Sequence, residues 1–202
     1  MLFHARAGRC LIDRNIDFWK QFSDRQIYEA LGAIGCAWQR IDPVEMARGQ
    51  IGQSQYVKHV SASLAPELVD CSSFVKWIYS QMGVWLPRFS AEQSQQGQAL
   101  KNGEPFQDGD LGFTLGYHSW THVDPPVGHV VLLTEKGTAI HASNGGRNVI
   151  EEPIAYLRSP LVSIRRVLPP DHRTVFLSAQ MEVETNADLR YAVWPHLYTH
   201  TE

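Results

Sequence analysis

The stretch Asp70-Cys71-Ser72-Ser73-Phe74-Val75-Lys76-Trp77-Ile78-Tyr79 is where the reading of this chain begins. After the cysteine, Phe74, Val75, Ile78 and Met82 recur at the helical period and fall on one side. Cys71 then occupies the first turn, where free backbone N–H groups and the helix dipole favour negative charge. A thiol in that position is expected to lose its proton more easily, and the thiolate is the reactive form. His129 and His141 follow downstream, each inside a strand-like run. A cysteine, then a histidine, then a polar orienting group is the order of a nucleophile, its base and the base's support.

Working outward, Asp42-Pro43 reads as a helix start, with Asp at the N-cap and Pro at the first helical position, running through Val44, Met46, Ala47 and Ile51. Residues 53–70 read as a loop delivering the chain to Cys71. Gly83 is suited to the left-handed end of the main helix. The Gln-rich run SAEQSQQGQAL reads as a short helix ending near Gly103. Four strands are expected at Leu111–Leu115, Gly128–Glu135, Thr138–Ser143 and Leu161–Leu168. Ahead of all this, Ile16 to Ile34 holds one or two helices. Beyond it, Val175, Leu177, Ala179, Met181 and Val183 alternate with mostly polar residues. Leu189, Tyr191 and Val193 do so again after Thr185-Asn186-Ala187-Asp188, which predicts a β-hairpin. It would join the sheet or pack on the N-terminal extension, with a dimer contact as the lesser reading. Helices first and strands later give an α+β class.

Loop length decides whether the two histidines can meet. A two-residue turn at Lys136-Gly137 would put His129 and His141 on opposite faces of their hairpin. A three-residue loop, Glu135-Lys136-Gly137, pairs Thr134 with Thr138 and puts the imidazoles on one face. The last position of such a loop favours a left-handed residue, and Gly137 stands there, so the three-residue form is expected.

The 202 residues contain 44% hydrophobic and 19% charged side chains, enough apolar material for a sizeable core. The formal net charge is −3 with no basic run, which argues against nucleic acid as a partner. No apolar run approaches the roughly 18 residues that cross a bilayer. The opening MLFHARAGRCLIDRN lacks the charged-then-apolar pattern of a signal peptide, so a cytoplasmic location is expected, or an exported one if a signal has been removed. Cys10, Cys36 and Cys71 are an odd number and form no metal-binding pair, and Cys10 and Cys36 read as small packing residues. His118, His122 and His129 invite a zinc reading, but YHSWTHVDPPVGHV is a loop and no Cys or Glu completes the set. Tyr117 and Trp120 in that loop are candidates for substrate contact.

From about Asp42 to Pro169 the chain resembles the NlpC family of bacterial cell-wall cysteine peptidases. The pieces that carry the resemblance are DCSSFV, VWLPRFSAEQSQQG, DGDLGF, GHVVLLTEKGTAIHAS and SIRRVL, in the family's order. The resemblance implies a papain-like NlpC fold, with N-terminal helices that carry the nucleophile at a helix start and pack on an antiparallel sheet. The length suggests a single domain, 1–202, and the resemblance sets a catalytic core at 42–169 with extensions at 1–41 and 170–202. The resemblance also implies Cys71 as nucleophile, His129 as general base and His141 as orienting residue, although His141 as an ordinary sheet histidine is the plainer alternative. Tyr56 resembles the family tyrosine that points into the site, except that Val57-Lys58-His59 stands where the family has Gly-Gly. Asp70 and Ser72 resemble residues that bind the substrate's amine end, and helix capping is compatible with that role.

The implied reaction is hydrolysis of peptidoglycan stem peptides at the D-γ-glutamyl–diamino acid bond, with no cofactor. The partner is a peptidoglycan-derived peptide, with no nucleic acid and no membrane span. The order Cys71, His129, His141 argues against the permuted papain-like acyltransferases, which carry His before Cys. The remaining rivals are an amidase or acyltransferase acting on another amide or ester, and a non-catalytic wall-binding module. A chain without an evident signal would meet small soluble peptides with free amines, which Asp70 would hold.

Overall fold

A computed structural model of the protein describes residues 8–101, 103–116 and 119–198. Along the chain the elements are β1 (Arg9–Asp13), α1 (Asp17–Lys20), α2 (Asp24–Ala33), β2 (Ala37–Gln39), α3 (Pro43–Arg48), β3 (Gln55–Tyr56) and β4 (Leu68–Val69). They continue with α4 (Cys71–Gln81), α5 (Ser90–Gln93), β5 (Gln98–Ala99), β6 (Leu111–Thr114), β7 (His129–Leu133), β8 (Thr138–Ser143), β9 (Asn148–Pro153), β10 (Leu161–Arg166), β11 (His172–Phe176) and α6 (Asn186–Leu197). The chain divides into two compact units, one of Met1–Ile41, Tyr79–Trp85 and Pro169–Glu202, the other of Asp42–Ile78 and Leu86–Leu168.

The second unit carries the motif-bearing stretches. Its strands order as β4-β3-β9-β8-β7-β6-β10-β5. Every pairing is antiparallel except β3 with β4, whose two-residue strands lie in the span expected to be loop. Neighbouring residues of β6, β7 and β8 point to opposite faces, yet Leu111, Phe113, Val130, Val131, Leu132, Leu133, Ala139, Ile140 and Ala142 are all fully buried. The sheet is thus covered on both sides, which explains the unbroken apolar run in β7. On one face Val131, Leu133 and Ala139 pack with Phe106, Ile154, Leu157, Leu161 and Ile164.

Local chemistry sets the ends of these elements. Asp42 Oδ1 accepts from the N–H groups of Val44 and Glu45 at 2.8 and 3.2 Å, and Pro43 opens α3 as expected, though the helix stops at Arg48. The expected helix after Phe89 is a single turn, α5, followed by the short strand β5. In DGDLGF, Asp110 closes its own turn on the Gln107 N–H at 2.9 Å and binds Arg166 of β10 at 2.7 Å. Gly109 between the two aspartates has φ +91°, and a Cβ there would lie 2.9 Å from Pro43 Cγ.

In the first unit, β11 lies between β1 and β2 in an antiparallel sheet. Cys10, Ile12, Trp19, Phe22, Ile27, Leu31, Val175, Leu189, Val193 and Leu197 form its core. The expected tail hairpin is wrong. Among the described residues of the tail only His172–Phe176 is a strand, and it pairs with the N-terminal strand β1. The stretch expected to hold the second strand is the helix α6, whose N-cap is Thr185 and whose N3 residue Asp188 returns the bond to the Thr185 N–H at 2.8 Å.

Candidate active site

Cys71 opens α4, and Asp70 is the residue that caps it. Asp70 Oδ1 accepts from the Ser73 N–H at 2.8 Å, and the Asp70 N–H donates to Ser73 Oγ at 2.8 Å. This reciprocal pair holds the turn that presents the cysteine. The capping carboxylate is further engaged by Arg88, which donates to Oδ1 at 3.0 Å and to Oδ2 at 2.5 Å. Arg88 also donates to Ser72 Oγ at 2.9 Å and to the Val60 carbonyl. Gln93, fully buried, donates to the carbonyls of Ser72 and Pro87 at 3.0 and 2.9 Å. The first turn of α4 is therefore anchored on three sides.

The histidines come from the hairpin of β7 and β8. Leu132 pairs with Ile140 and Leu133 with Ala139, so the loop is the three-residue form, with Gly137 at φ +76°. His129 and His141 share a face, and His129 Nε2 lies 2.9 Å from His141 Nδ1, with ring centroids 4.9 Å apart. On the far side, His141 Nε2 is 3.0 Å from Oε1 of Glu152. In β9, Ile150 stands directly opposite His141, so Glu152 is its diagonal neighbour on the same face.

These groups border one cavity of about 860 Å³, lined by Cys71, His129, His141, Tyr56, Asp70, Ser72, Arg88 and Glu152 among others. Phe89 and Trp120 form part of its wall, with ring centroids 5.7 Å apart. Tyr56, Asp70, Cys71, Ser72, Trp120, His129 and His141, all singled out from the sequence, thus border the same space, whereas His122 does not line it and Tyr117 and His118 fall outside the described residues. His122 lies against Trp120 with centroids 5.7 Å apart.

The electrostatics differ from expectation at the thiol. Desolvation, and then the Asp70 carboxylate, push the Cys71 thiol up to about 11, against the N–H groups of Val130 and Ser72 and the charge of Arg88, which pull it down. Burial, with His141 beside it, pushes His129 down to about 3. Burial also lowers His141, although Glu152 works the other way. The resting pair is a neutral thiol with a neutral imidazole. The helix start alone does not make a thiolate, because removing solvent penalises both charges. Tyr56, which lines the same cavity as the cysteine, is raised by burial and then by the negative charge that Cys71 and Asp70 can carry.

Two residues of the site escape a reading of the sequence. Arg88 lies within VWLPRFSAEQSQQG, but nothing local ties it to an aspartate 18 positions earlier. Glu152 sits in Asn148–Pro153, a strand not anticipated at all. Its one signal is the β-branched pair Val149-Ile150, with no apolar–polar alternation through Glu151 and Glu152.

The architecture is the α+β papain-like fold, with a cysteine at a helix start and histidines on an antiparallel hairpin. The chain belongs to the NlpC/P60 family, whose model matches residues 56–166. Over 114 residues it is 32% identical to a probable endopeptidase of Corynebacterium glutamicum, covering 56% of this chain and 48% of that one. The chain spans about half the length of the curated relatives it matches. Among solved structures, an NlpC protein from Trichomonas vaginalis superposes with a TM-score of 0.52 at 25% identity, covering 62% of this chain and 45% of that one. An NlpC/P60 family protein from Bacillus cereus gives a TM-score of 0.51 at 26% identity, covering 63% and 40%.

Proposed function

We propose that this protein is a cysteine peptidase that hydrolyses peptidoglycan stem peptides at the D-γ-glutamyl–diamino acid bond. The observation that carries this reading is the cavity in which a cysteine at a helix start meets two hydrogen-bonded imidazoles, 2.9 Å apart, on a family core. Cys71 gives its proton to His129 as its sulfur attacks the scissile carbonyl carbon. The carbonyl oxygen takes the negative charge and is held by the Cys71 backbone N–H and the Tyr56 hydroxyl. His129 then returns the proton to the departing amine, leaving an acyl-enzyme that water hydrolyses. His141 keeps the His129 ring in place.

Mass spectrometry of a muropeptide digest incubated with the protein tests the reaction. The expected result is new fragments ending in D-γ-glutamate. Cys71→Ala and His129→Ala are each expected to lower turnover by more than about 10³, because nucleophile and base act as a unit, with His141→Ala milder. Unchanged hydrolysis by the Cys71→Ala protein would end the proposal. Comparing a stem tripeptide with its N-acetylated form separates amine-directed recognition at Asp70 from recognition of longer chains.

A further inference from the structure

His129 and His141 are both neutral near pH 7, since burial lowers each of them. A neutral imidazole has one N–H and one bare nitrogen. The 2.9 Å contact between His129 Nε2 and His141 Nδ1 can therefore form in two ways. In one, His129 donates and its Nδ1 is bare. In the other, His141 donates and His129 carries its proton on Nδ1, where it cannot accept another. Between the two rings alone, the arrangements have the same number of hydrogen bonds.

Glu152 separates them. Its Oε1 is 3.0 Å from His141 Nε2, and a carboxylate can only accept. The His141 proton must then sit on Nε2, which leaves Nδ1 bare to accept from His129 Nε2. His129 in turn keeps Nδ1 free as the nitrogen that can take the thiol proton. We infer that Glu152 is a positioning residue that sets the tautomers of both histidines and so makes His129 a base toward Cys71. The adjacent Glu151 has a separate role. It points to the other face, where Arg48 binds it through two contacts of 2.9 Å. When His129 becomes an imidazolium, the same carboxylate supports the positive charge through His141.

This inference rests on the peptidase reading for its kinetics but not for its tautomers. Nitrogen-15 NMR of the histidine rings at neutral pH reads the proton positions directly. In the wild-type protein, both His129 and His141 are expected to carry the proton on Nε2. A wild-type His129 protonated on Nδ1 would overturn the inference. In Glu152→Gln the amide can donate as well as accept, so the Nδ1–H form of His129 should appear. With it kcat should fall about 10- to 100-fold, less than full loss of a triad carboxylate, while KM stays within about twofold. A Glu152→Gln protein with unchanged tautomers, or with shifted tautomers and unchanged kcat, would also overturn it. If the tautomers shift but the wild-type protein cleaves no stem peptide, Glu152 keeps its role and the substrate assignment falls.

Discussion

At Cys71 two local influences pull against each other. The helix start and the nearby N–H groups favour the thiolate, while desolvation and Asp70 favour the thiol, and the balance lies at about 11. A thiol raised two units above its ordinary value of 9 holds about a hundredfold less thiolate at neutral pH. Iodoacetamide should therefore modify Cys71 about a hundredfold more slowly at pH 7 than it does a surface cysteine. The rate should climb through pH 9 and level off only near pH 11. A plateau already reached by pH 7 would mean a resting thiolate and would contradict this picture. Under the proposed mechanism the nucleophile would then form when substrate enters and the proton crosses to His129, instead of being stored. Cys71 and His129 were legible as a pair because each sits in a motif of its own. The charge state was not, since it depends on which atoms exclude water.

The hairpin of β7 and β8 places the histidines, and its loop rests on one glycine. Gly137 has φ +76° with nothing near the position of a Cβ, so Gly137→Ala costs only backbone strain, about 1–2 kcal/mol. Gly97, before β5, has a similar φ of +71°, but a Cβ there would meet the Arg166 carbonyl oxygen at 2.4 Å. Overpacking against backbone adds about 1–3 kcal/mol to the same strain. Urea unfolding should rank Gly97→Ala as the more damaging by that margin, with the proposed peptidase activity surviving in Gly137→Ala. Equal losses would mean that the β10 backbone yields freely. The tail shows how an element is misread. Leu189, Tyr191 and Val193 alternate like a strand, but only Leu189 and Val193 are buried, joined by Leu197, while Tyr191 is 86% exposed. That spacing of four is helical, and Thr185-Asn186-Ala187-Asp188, which looks like a turn, is the capping box that starts the helix.

Across the whole molecule, each compact unit carries histidine that folding keeps neutral. His129 and His141 lie in one unit, and His172, lowered chiefly by burial, lies in the other. The folded protein resists a proton that the unfolded chain takes up near pH 6.5. The stability contributed is therefore complete above that pH and is lost as the pH falls toward the folded-state values. His129 alone loses about 1.4 kcal/mol per pH unit between 6.5 and about 3. Denaturant titrations at pH 7, 6, 5 and 4 should show stability falling steadily. His129→Gln should have a shallower slope over that range, and an identical slope would exclude His129 as a contributor.

What the sequence by itself determined is local. It placed a cysteine at a helix start, an Asp-Pro helix entry, a glycine-closed hairpin and a set of ordered motifs that mark the family. These features depend on neighbours within a few positions, where backbone preference and side-chain period act directly. Only the tertiary structure joined Glu152 to His141, tied Arg88 to Asp70 and set the strand β11 beside β1. It alone set how much solvent the thiol keeps in its cavity. These pairings join residues 11, 18 and more than 150 positions apart. Nothing in the local pattern specifies them, because their free energy comes from burial and register that exist only once the sheets have formed.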